Sequence, residues 1–91
     1  MKAKQKKNED DLKIGEFIKD PVSLKLLILA GTSIRVPELH TISKCTGLIK
    51  LDLSGNFLPE IPLRFHTFQV MKILYLHDNQ LTTVDIRKTS I

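Results

Sequence analysis

Leu48-Ile49-Lys50-Leu51-Asp52-Leu53-Ser54-Gly55-Asn56-Phe57-Leu58 decides the fold, because it is one of three copies of a single pattern. The copy before it runs Leu24-Lys25-Leu26-Leu27-Ile28-Leu29-Ala30-Gly31-Thr32-Ser33-Ile34. The copy after it runs Met71-Lys72-Ile73-Leu74-Tyr75-Leu76-His77-Asp78-Asn79-Gln80-Leu81. In each, large apolar residues fill positions 1, 4, 6 and 11, and position 9 is Asn or Thr. The copies start 24 and then 23 residues apart. A near-constant period of this length marks an array whose units share one interior with their neighbours.

Inside each copy the leucines at positions 4 and 6 alternate sides at a period of two, as a half-buried strand requires. Leu27 and Leu29, Leu51 and Leu53, and Leu74 and Leu76 are therefore expected to point inward from three successive parallel strands. Position 9 follows the strand, where the chain turns and leaves backbone groups unpaired. Asn carries both a donor and an acceptor, so Asn56 and Asn79 are expected to form a structural ladder, with the Thr32 hydroxyl serving in part. Pro37, Pro59 and Pro62 in the returns disfavour long helix and suit short 3-10 or irregular segments. Leu39, Ile42 and Cys45 are expected to fill the interior from the first return, and Ile61, Phe65 and Phe68 from the second.

These segments resemble leucine-rich repeats, whose pattern is L-x-x-L-x-L-x-x-N-x-L at a period of about 20–29 residues. The resemblance covers residues 24–84, and its departures are mild: Thr32 for Asn, and Ile34 and Met71 for Leu. It implies an α/β leucine-rich-repeat solenoid, with short parallel strands on the concave side and 3-10 or irregular returns on the convex side. The repeats are 24–47, 48–70 and an incomplete 71–91, within a repeat domain over 21–91. Residues 1–9 read as a disordered lysine-rich tail. Over 10–20, the spacing of Leu12, Ile14, Phe17 and Ile18 predicts an N-terminal helix, begun by Asp10 or Asp11 and stopped at Asp20-Pro21. Its expected role is to cover the first repeat. After Val84 the segment 85–91 replaces a full return, so either the chain continues as further repeats or a partner covers that edge.

Composition narrows the class. Trp is absent and aromatics are 5% of the residues, so the core is built mainly from Leu, Ile and Val. No apolar run approaches the roughly 20 residues of a membrane helix, and the lysine-rich start lacks the apolar stretch of a secretory signal. Lys2 excludes N-myristoylation. The one cysteine, Cys45, has no internal disulfide partner, which together with the missing signal points to a reducing, cytoplasmic location. The net charge of +4 supplies solubility and a mild attraction to polyanions.

No catalytic chemistry can be assembled. His40 and His66 fall in different returns and His77 on the strand side, so they do not form a closed ligand set, and no metal or cofactor is expected. Cys45 shares the apolar spacing of Ile42 and Leu48 and reads as a small core residue. Gly31-Thr32 and Gly55-Asn56 read as tight turns, since neither lies in a phosphate-cradling loop. The tail lysines, Lys2, Lys4, Lys6 and Lys7, lack interleaved aromatics, so nucleic-acid binding is not the expected role.

What remains is the outward side of the strands: Leu26, Ile28 and Ala30; Lys50, Asp52 and Ser54; Ile73, Tyr75 and His77. The resemblance implies that this concave strip takes a protein ligand, and its mixture of apolar and charged side chains suits an interface. Tyr75 is the expected anchor. The expected function is non-catalytic protein–protein interaction as a scaffold or adaptor, with the partner unidentified. The alternative is a structural subunit docking end-on through its C-terminal edge into a larger repeat array or cytoskeletal assembly.

Overall fold

The computed structural model of the chain describes residues 14–81. The expected tail over 1–9, the first part of the expected helix and residues 82–91 lie outside that span.

Three strands form one parallel sheet in the order β1-β2-β3: β1 is Leu26–Ile28, β2 Lys50–Asp52 and β3 Ile73–Tyr75. The register is that of the aligned copies, with Leu27 opposite Leu51 and Leu51 opposite Leu74. Parallel neighbours need a long connection, and the 24- and 23-residue spacing of the copies supplies one. Backbone pairing runs past the strands themselves. The Leu29 and Gly31 N–H groups donate to the carbonyls of Asp52 and Ser54 at 2.8 and 2.9 Å. One strand on, Leu53 and Gly55 repeat this with Tyr75 and His77 at 2.9 and 3.0 Å.

The returns pass along the other side of a shared core. Val36–Glu38 is a 3-10 turn with a proline in its first turn, and it leads into one turn of α-helix, α1, at Leu39–Ile42. This return is more helical than expected, because no proline lies between Glu38 and Leu58. In the second return, Pro59 and Pro62 hold the chain extended until the 3-10 turn at Phe65–Thr67. The extended stretch buries alternate residues, so Leu63 enters the core beside Phe65 while Pro62 and Arg64 face solvent.

The core contains Leu27, Leu29, Leu51 and Leu53 from the strands, and Leu39, Ile42, Cys45, Phe65 and Phe68 from the returns. Phe65 and Phe68 pack against each other with ring centroids 6.2 Å apart. Leu74 and Leu76 are only half-buried, because among the described residues β3 has a strand neighbour on one side alone. Ile61 is also only partly covered.

Within residues 14–20 the expected helix is reduced to a single 3-10 turn, Ile14–Glu16, closed by the Ile18 N–H on the Ile14 carbonyl at 3.1 Å. Ile14 and Ile18 are buried in the core, but Phe17 is exposed, so it is not on the packed face. The chain then restarts at Pro21 in a further 3-10 turn, Pro21–Ser23.

Candidate functional site

The polar ladder sets how rigidly the strands are held. The Asn56 side chain bridges two coils. Its Oδ1 accepts the N–H groups of Thr32 and Ile34 at 3.0 and 3.1 Å. Its Nδ2 donates to the carbonyls of Leu29, Leu53 and Ser54 at 2.9, 2.9 and 3.1 Å. Asn79 repeats the arrangement one coil on, accepting from Asn56 and Leu58 and donating to Leu53, Leu76 and His77. Thr32 heads the ladder, and its hydroxyl donates to its own coil's Leu29 carbonyl at 2.8 Å. Among the described residues no strand precedes β1, so Thr32 has no earlier copy to bridge and a single donor serves there. Among the described residues every buried side-chain nitrogen or oxygen has a hydrogen-bond partner.

On this frame the outward strand residues fall into two rows. Leu26, Lys50 and Ile73 are in register, as are Ile28, Asp52 and Tyr75. Leu26, Ile73 and Tyr75 are exposed to 44%, 39% and 42%, so apolar side chains of the first and third strands face outward on either side of Lys50 and Asp52. The Lys50 ammonium lies 5.3 Å from the centre of the Tyr75 ring, within cation–π range. The Tyr75 ring also meets the His77 imidazole edge-on, with centroids 6.1 Å apart. Tyr75 is thus held from two sides while its remaining surface is open.

Ser54 departs from the expected site. It is 6% exposed, and both its N–H and its hydroxyl donate to Asp52 Oδ1, at 3.0 and 2.6 Å. The strand ends at Asp52 and the chain bends, which draws Ser54 in under the carboxylate. Asp52 is therefore oriented by its own coil, and Ser54 is a positioning residue rather than a recognition one. His77 is exposed and 4.0 Å from the Asp78 carboxylate, and His40 is exposed on α1. The cation–π contact was not anticipated from the sequence. Its signal was the diagonal spacing of Lys50 and Tyr75 once the copies are aligned.

Among the described residues no three His, Cys, Asp or Glu side chains are grouped so as to hold a metal. Cys45 is a buried free thiol that donates to the Thr41 carbonyl at 3.6 Å, and burial pushes its pKa up from 9.0, away from a nucleophilic thiolate. No helix of the described residues is long and apolar enough to cross a membrane.

The chain is similar to the human leucine-rich repeat and IQ domain-containing protein 3, with 36% identity over 70 residues, which is 75% of this chain and 11% of that protein. The rat and mouse proteins of the same name match over the same length at 36% and 33% identity. This is an association with leucine-rich-repeat proteins in general, since the aligned part is 11% of the length of these relatives. No protein-family model and no solved structure matches the chain.

Proposed function

We propose that this chain is a non-catalytic protein-binding module, a right-handed leucine-rich-repeat solenoid over 21–91 that captures a protein partner on its outward strand face. The observation that carries the reading is the in-register strip of Leu26, Ile28, Lys50, Asp52, Ile73 and Tyr75, in which Tyr75 is braced by Lys50 at 5.3 Å. Tyrosine held in place offers a large amphipathic surface at little cost in side-chain entropy, which is what binding hot spots require. The asparagine ladder supports the same reading, because strands tied at their ends present their side chains without reordering. The similarity to leucine-rich-repeat proteins favours it over any catalytic role, and a scaffold or adaptor working in the cytoplasm is the setting we propose.

Capture from native extract tests the site. The chain is expected to retain a defined partner that Tyr75→Ala and Lys50→Glu variants lose with their unfolding midpoints unchanged. Equal capture by the folded variants would remove the concave strip from the argument.

A second reading has its own observation. The N–H groups of Asn79 and Leu81 are the counterparts of those that Asn79 Oδ1 receives from the coil before, and they have no acceptor among the described residues. A further coil bringing an asparagine would supply one, which favours end-on docking into a longer array. Association that grows with concentration in sedimentation runs, and is lost on blocking β3, distinguishes this from a monomeric adaptor.

A further inference from the structure

We propose that the groove along the strand-start side of the sheet is a second protein-binding site, taking an extended segment in which acidic and aliphatic residues alternate. The groove is open, about 590 Å3, and runs from Val22 and Lys25 past Thr46 and Gly47 to Thr67 and Val70. It lies beside the concave strip and does not depend on that strip's role.

Its walls include two aliphatic side chains in solvent, Val22 at 64% and Val70 at 49% exposure, and the exposed Ile49 lies outside the lining, next to Lys25 in the sheet. Its floor is rigid, because the Gly47 backbone packs so closely that a Cβ there would stand 2.6 Å from the Val22 carbonyl. The Lys25 ammonium hangs over this floor, 3.7 Å from the same point.

Charge selects the occupant. The strand-start segments 21–26, 45–50 and 68–73 carry Lys25, Lys50 and Lys72 and no acid. The strand-end segments 28–33, 52–57 and 75–80 carry Asp52 and Asp78 and no Lys or Arg. Lys50 is turned onto Tyr75, whereas Lys25 lines the groove and Lys72 stands two strands along in the same exposed row. Along that row the Ile49 N–H donates to the Lys25 carbonyl and the Lys72 N–H to the Ile49 carbonyl, both at 2.8 Å. Neither is in an ion pair among the described residues. Three strands span roughly 10 Å, so a single bound segment reaches both lysines. About three extended residues cover that distance. Carboxylates would satisfy the ammonium groups while the intervening aliphatic side chains cover Val22, Ile49 and Val70. A phosphate backbone would use the lysines and leave those side chains in water, so a protein segment fits better than a nucleic acid.

Fluorescence anisotropy on the full chain tests this with a labelled synthetic peptide of alternating Glu and Leu. Control peptides replace Glu by Lys or Leu by Ser, and a single-stranded oligothymidylate serves as competitor. The Glu–Leu peptide is expected to bind. Lys25→Glu with Lys72→Glu should weaken it roughly tenfold and Val70→Ser severalfold, whereas Tyr75→Ala should leave it unchanged. These side chains are exposed, and unfolding midpoints confirm that the variants fold. No binding, equal binding by the folded groove variants, equal binding of the Glu–Ser peptide, or displacement by the oligonucleotide at matched charge would each overturn the proposal.

Discussion

Asn79 sets the backbone conformation of Phe57. Its Oδ1 receives the N–H groups of Asn56 and Leu58 at 3.2 and 2.8 Å, and those two amides reach one oxygen because the residue between them turns left-handed. Phe57 has φ 58°, a region that bulky residues avoid. One coil earlier, Asn56 Oδ1 does the same to Ser33, also at φ 58°. Gln80 has no such oxygen ahead of it among the described residues, and it is not left-handed.

Replacing Asn56 should therefore be the most damaging single polar change. Asn56→Ala strands the buried amides of Thr32 and Ile34 and removes a donor from the Leu29 and Leu53 carbonyls. Each buried orphan costs about 1–3 kcal/mol, and the losses overlap, so about 3 kcal/mol is expected in urea unfolding. Asn79→Ala, at a half-buried rung, should cost less. Equal effects would mean that bridging two buried coils is not what stabilises the ladder.

Phe57 is 71% exposed, so its conformational cost is not offset by packing. Phe57→Asn should raise the unfolding midpoint by an amount equivalent to about 1 kcal/mol, because Asn tolerates the left-handed region. A drop in stability would show that the ring makes a contribution its exposure hides.

Two glycines should fail for different reasons. At Gly47 a new Cβ meets the Val22 backbone carbonyl at 2.6 Å, and backbone cannot step aside cheaply. At Gly55 there is room, the nearest atom being 3.6 Å away, but φ is +67°. Gly55→Ala should cost about 1 kcal/mol and Gly47→Ala more. Thermal melts of the two variants give the comparison directly.

Burial raises the Cys45 pKa above its ordinary 9.0. As pH climbs past that value the unfolded thiol ionises first, so the unfolded state binds fewer protons and stability falls. Below about pH 8 this group adds no slope. Cys45→Ala is expected to lower stability at neutral pH by about 1 kcal/mol, from lost packing, and to flatten the alkaline decline. Parallel pH profiles for the two proteins would show that some other group governs the alkaline limb.

The core was legible where burial follows from repetition. Leu51 and Leu53 recur in step with Leu27 and Leu29, and the two pairs share one buried environment. Ser54 was not legible: it has the same parity as Asp52, and only the bend after the strand folds its hydroxyl onto the carboxylate. Leu63 was missed because its alternation with Ile61 and Phe65 depends on Pro62 keeping that return extended. The outward placement of Leu26, Ile73 and Tyr75 was readable from parity, whereas the Lys50–Tyr75 contact required the register.

The order of residues alone determined that Leu27, Leu29, Leu51 and Leu53 face inward and where asparagine must stand, since both are short-range consequences of period and donor count. Tertiary structure alone decided the left-handed turn at Phe57 and the capture of Ser54. Each of these comes from groups more than twenty residues apart, or from a bend that backbone propensity does not encode, and neighbouring residues cannot specify such a geometry.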